Sequence, residues 1–158
     1  MIRNMMSNSN KGLGTTDVLP VDQSRIEVLN GTVDYKNVPL GSYDLRGRFA
    51  SVAQRDYTEE LNLIQSMGFN AYRISISWAR IFPNGEELQP SEEGLKYYEA
   101  IIDDVLEKDI EPIVTLSHFD LPLNLYEKYG AWKSRKMIEL FERYAEAVFQ
   151  YFKDKVKY

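Results

Sequence analysis

The side chains able to do chemistry gather at the ends of two short apolar runs. In the first, residues 72–78, Tyr72, Ile74, Ile76 and Trp78 fall on one side and Arg73, Ser75 and Ser77 on the other. The second, residues 112–118, runs into Ser117-His118-Phe119-Asp120. His118 is the single histidine of the chain, and an imidazole at a strand end can hydrogen-bond a ligand or carry a proton. Its neighbours Ser117 and Asp120 do not make it a hydrolytic triad. Adjacent residues point apart, and triads are assembled by geometry rather than by sequence adjacency. Strict alternation usually marks a half-solvated strand. In a closed barrel of parallel strands the Arg73 side would face inward, where a guanidinium is costly unless paired or solvated. It therefore needs a partner.

Two such runs must be held side by side. Their starts lie about 40 residues apart, and a parallel crossover needs at least about a dozen. Between them Gln89-Pro90-Ser91 reads as a helix entrance, with Ser91 as cap and Glu92 and Glu93 at the positive end of the dipole. Leu95, Tyr98, Ile101, Ile102 and Val105 keep the helical period. This is a βαβ unit. A helix precedes it, with Leu61 and Ile64 on its apolar face, Leu63 and Met67 beside that face, and Gly68 placed to end it in the left-handed region. After the second run a short helix is stopped by Gly130. Ser134 then caps a long amphipathic helix carrying Met137, Leu140, Tyr144, Val148 and Phe152. At residues 153–158 a further strand is expected to begin. Residues 1–55 sustain no apolar period and read as an irregular N-terminal segment, with short apolar touches at Val28, Val33 and 38–40 and turn signals at Asn30-Gly31 and 40–42. Residues 56–158 form the ordered unit.

Composition narrows the classes. The chain has 158 residues and a net charge of −5, whereas nucleic-acid binders usually present a basic face. It has no cysteine, so disulfides and thiolate chemistry are out, and a reducing, cytoplasmic setting fits. No run approaches the roughly 20 apolar residues of a membrane span. One histidine cannot build a histidine metal site. Residues 11–14 (KGLG) have no preceding strand and are too short for a phosphate loop. Neither metal nor cofactor is expected.

Three stretches, 71–83 (AYRISISWARIFP), 112–122 (PIVTLSHFDLP) and 129–132 (YGAW), resemble the family 1 glycoside hydrolases, the retaining β-glycosidases. Their order and spacing are similar to the second and third strands of that family's barrel and the loop after the third. Within the family the chain is most similar to the bacterial 6-phospho-β-glucosidases. Phe119 follows His118 where most plain β-glucosidases carry Trp, and residues 11–18 (KGLGTTDV) resemble a segment near the start of the phospho-enzymes. The resemblance implies an α/β fold, a (β/α)8 TIM barrel, of which this chain would supply two to three βα units. It implies two glutamates about 5–5.5 Å apart that hydrolyse a β-glucoside, or its 6-phosphate, with retention. His118 would hydrogen-bond sugar hydroxyls, and Arg73 would hold the nucleophilic glutamate ionised and oriented. Without the resemblance, His118 reads equally as a strand-end hydrogen-bonder and Arg73 as half of a buried ion pair.

The departures from the family pattern set a second expectation. The first strand with its sugar-binding glutamine, the fourth strand with the Asn-Glu pair, the nucleophile and the phosphate-binding loop all have no counterpart here. Arg55-Asp56 stands where the family usually shows His-Arg, and Ala131 replaces a usual glycine. A closed barrel takes about 250 residues. The 158 residues alone are thus expected to be inactive, with unpaired parallel edges open to self-association or to a complementary fragment.

Overall fold

The computed structural model describes residues 11–15, 25–33 and 57–158. The expected turn at 40–42, the Arg55-Asp56 departure and the boundary between 55 and 56 lie outside these residues.

The order of elements follows from the sequence with few exceptions. Helix α1 (Arg25–Leu29) precedes α2 (Tyr57–Ser66), strand β1 (Ala71–Ser75), the short α3 (Trp78–Ile81) and α4 (Glu92–Leu106). Strand β2 (Glu111–Thr115), α5 (Leu123–Tyr129), a 3-10 turn (Ala131–Lys133) and α6 (Lys136–Phe152) complete it. The start of α4 shows why its sequence folds there. The Ser91 hydroxyl accepts from the amide of Gly94 at 3.2 Å, satisfying one orphan donor of the first turn. The ends are equally local. Gly68 (φ +79°) closes α2 and Gly130 (φ +69°) closes α5, both in the left-handed region where a Cβ is penalised. At α6 the expected cap is displaced: Arg135 holds the cap position without a side-chain cap bond, and Ser134, one residue earlier, accepts from the amide of Lys136 at 3.2 Å.

β1 and β2 pair in parallel, Arg73 opposite Ile113 and Ser75 opposite Thr115. Two parallel strands joined through α4 make an open α/β sheet. One face packs on helices: Ile74 and Val114 lie against a core built around Ile76, Trp78, Phe82, Ile102, Leu125 and Tyr144. The other face carries Arg73, Ser75 and Ile113 and is exposed. Beyond β2, the amide of Val114 donates to the carbonyl of Tyr158 at 2.8 Å. The Lys157 ammonium meets Glu111 at 2.8 Å, and Lys155 bridges Glu99 and Asp103 of α4. Residues 157–158 therefore lie beside β2, but the further strand expected at 153–158 does not form: among the described residues the sheet consists of β1 and β2.

Three further expectations need correction. The first run stops being a strand at Ser75, and Trp78 opens a helical turn in which the Phe82 amide donates to the Trp78 carbonyl at 2.8 Å. Trp78 remains buried, so its burial was legible but its backbone was not. Leu63 and Met67 are exposed. Among the described side chains of α2, Leu61 and Ile64 pack, in a small cluster with Val105 and Ile110. In the N-terminal segment the described part, residues 11–15 and 25–33, is not irregular throughout. It contains α1, and Val28 and Val33 are buried in the main core, where the Tyr126 hydroxyl donates to the Val33 carbonyl at 2.9 Å.

Candidate functional site

The candidate site is the rim formed by the C-terminal ends of β1 and β2. Strand pleating puts Arg73 and Ser75 on the same exposed face, two residues apart. His118 reaches this face from beyond β2, its Nδ1 3.4 Å from the Ser75 hydroxyl. That is long for a hydrogen bond, but it fixes where the imidazole lies. His118 thus meets the C-terminal end of the exposed face on which Arg73 stands, mid-strand and two residues before Ser75. Among the described residues no ion pair of Arg73 is found, and its face is open.

Behind the rim, buried hydroxyls tie the strand ends together. The Ser77 amide donates to the Tyr98 hydroxyl at 2.8 Å, and burial pushes the Tyr98 phenol up to about 12. The Tyr144 hydroxyl lies 3.1 Å from the Ile76 carbonyl and 2.9 Å from that of Leu116. Burial likewise raises its phenol, far enough that it serves only as a neutral hydrogen-bonding group. The Ser77 hydroxyl donates to Asp120 Oδ2 at 3.0 Å. Sequence reasoning noticed Asp120 only as a neighbour of His118 and gave Ser77 no role.

A second polar group fixes the connection between α3 and α4. Glu86 accepts from Lys128 Nζ at 2.8 and 2.9 Å, from the Tyr129 hydroxyl at 2.7 Å and from Asn124 at 3.3 Å. The Lys128 hydrogen bond, followed by that of Tyr129, holds the Glu86 carboxyl down at about 2, and the carboxylate raises Lys128 in turn. Arg143 of α6 donates to the carbonyls of Glu86 and Glu87. Half-exposed pairs of this kind contribute little stability. Their effect is to hold the loop against α5 and α6.

Residues 11–15 cross the same rim. Gly14 bridges Pro122, the Gly12 amide donates to the Ala79 carbonyl at 2.8 Å, and that of Thr15 donates to the Leu121 carbonyl at 2.8 Å. The glycine-rich wording of this segment was visible in the sequence. What it packs against was not. Among the described residues no group of three or more His, Cys, Asp or Glu side chains is placed to hold a metal ion, and no helix is long and apolar enough to cross a membrane.

Two parallel strands, a crossover helix and polar side chains at the strands' C-terminal ends make a βαβ unit, the building block of α/β barrels and of open α/β sheets alike. Residues 35–158 match the profile of Glycosyl hydrolase family 1. Aryl-phospho-β-D-glucosidase BglH of Bacillus subtilis (strain 168) is 45% identical over 148 residues, 94% of this chain and 29% of that enzyme. β-Glucosidase 25 of Oryza sativa subsp. japonica is 51% identical over 102 residues, 65% of this chain and 20% of that protein. The structure of the family 1 β-glucosidase from Thermotoga maritima superposes with a TM-score of 0.61 at 42% identity, covering 65% of this chain and 23% of that one. The chain belongs to glycosyl hydrolase family 1. It spans less than a third of the length of the curated relatives it matches.

Proposed function

We propose that these residues form part of a retaining β-glucosidase acting on 6-phospho-β-glucosides, and that they supply its sugar-positioning groups rather than its cutting ones. The observation that carries this reading is the shared face, with His118 against Ser75 and Arg73 two residues before it. In this reading His118 hydrogen-bonds hydroxyls of the sugar being cleaved. Arg73 keeps the nucleophilic glutamate ionised, since a nearby guanidinium favours the charged carboxylate. The acid/base and nucleophilic glutamates belong to polypeptide outside the 158 residues. A cytoplasmic location, in keeping with the absence of cysteine, is part of the same proposal.

The choice of a phosphorylated substrate is supported by the relative matched along nearly the whole chain, which is named for phospho-glucosides. The plant β-glucosidase matches over 102 residues only. A chimera tests the reading. Residues 35–158 replace the corresponding stretch of the Bacillus subtilis enzyme, and release from aryl β-glucosides with and without a 6-phosphate is followed. The chimera is expected to hydrolyse the phosphorylated substrate, and His118→Ala to lower kcat/KM at least about tenfold, the equivalent of roughly one lost hydrogen bond. A folded chimera without turnover, or one indifferent to His118→Ala, contradicts it.

A further inference from the structure

We propose that Asp120, acting through Ser77, is the positioning residue that holds His118 on the rim; this deepens the sugar-binding reading of His118 and rests on it. The segment from Leu116 to Leu123 is clamped on both sides of the histidine. Before it, the Leu116 carbonyl accepts from the Tyr144 hydroxyl at 2.9 Å. After it, the Asp120 carboxylate accepts from Ser77 at 3.0 Å. The Leu121 amide donates to the Thr15 hydroxyl at 3.2 Å, and that of Leu123 to the Leu13 carbonyl at 2.7 Å.

Between the clamps Phe119 takes φ +65°, a left-handed conformation that a bulky side chain adopts only when its surroundings impose it. That turn lies directly between His118 and Asp120, so what fixes Asp120 also fixes the direction in which the imidazole leaves the backbone. Two side-chain pairs then span the strand ends in matching order, Ser75 with His118 and Ser77 with Asp120. Ser77 is itself anchored from behind by Tyr98. Gly14 completes the arrangement, since a Cβ there would lie 2.3 Å from Asp120 Oδ1. Any larger residue at 14 would push against the carboxylate that Ser77 holds.

Because His118 is the sole histidine, its imidazole can be followed unambiguously by NMR in the intact 158-residue chain, without sugar and at one fixed pH. Asp120→Ala is expected to abolish the nuclear Overhauser contact between the His118 ring and Ser75 and to move the ring nitrogen shifts toward those of free imidazole. Ser77→Ala should act in the same direction. Asp120→Asn, whose amide oxygen still accepts from Ser77, should restore the contact, which general destabilisation would not predict. Should Asp120→Ala fail to fold, Ser77→Ala decides, since it removes one hydroxyl. An unchanged ring contact in Ser77→Ala with helical circular dichroism retained, or no rescue by Asp120→Asn, overturns the proposal. Neither result bears on turnover, so the sugar-binding reading stands or falls separately in the chimera.

Discussion

Trp78→Ala will cost about 3–5 kcal/mol, the range for truncating a large buried aromatic, against the roughly 5–15 kcal/mol that holds a typical domain together. Trp78 is 1% exposed and stacks on Tyr144 with ring centroids 5.2 Å apart and planes 10° from parallel. Phe141 meets it edge-on at 5.5 Å. The indole therefore joins α3, which ends the β1 run, to α6. Its removal leaves a cavity between elements that both shape the rim. The indole N–H is buried without a hydrogen-bond partner among the described residues, so tryptophan carries a desolvation cost that phenylalanine would not. Trp78→Phe should accordingly lose much less than Trp78→Ala. Urea midpoints measured at constant m-value check both, and equal losses in the two variants would contradict this account of the cluster.

Tyr144→Phe keeps the ring and its stacking but removes the hydroxyl between the Ile76 and Leu116 carbonyls. A single proton can serve only one carbonyl at a time, yet both lie within 3.1 Å of the oxygen. Losing the donor strands buried acceptors, and the expected cost is about 1–3 kcal/mol. These carbonyls belong to residues just past the ends of β1 and β2, so the damage should be local. Amides at the two strand ends are expected to exchange faster in Tyr144→Phe, while those in the middle of α4 keep their relative protection. A variant as stable as the parent, with unchanged exchange at the strand ends, would show that the hydroxyl does not hold the strands together.

How far the sequence could be read depended on whether a residue's environment was local. The parallel pair, its crossover helix and the side that Arg73 shares with Ser75 follow from alternation and spacing that lie within a few residues; that this side is exposed does not. The glycine stops at Gly68 and Gly130 and the cap at Ser91 are equally local, and each requirement is written in one side chain. The end of β1 was misplaced because Ile76 and Trp78 continue the alternation. The backbone turns helical where the Tyr98 hydroxyl catches the Ser77 amide, an interaction across 21 residues that leaves no periodic trace. Val28 and Val33 were passed over for a similar reason. Ile26, Val28, Leu29 and Val33 sustain no period, and the burial of the two valines depends on α5 and the 3-10 turn packed near them. At the site, Arg73 and His118 stood out by residue type. The Ser77–Asp120 pair did not, because serine alternating along a strand is ordinary and its partner lies 43 residues away.

The central claim is that these residues position a sugar but do not cut it. Its most direct test is the hydrolysis of aryl β-glucosides, with and without a 6-phosphate, by the purified 158-residue chain. The account predicts no release above the buffer rate, because double displacement requires two carboxylates about 5–5.5 Å apart across the scissile bond. Release that rises in proportion to the chain and disappears in His118→Ala would contradict it, since the cutting groups would then lie within these residues.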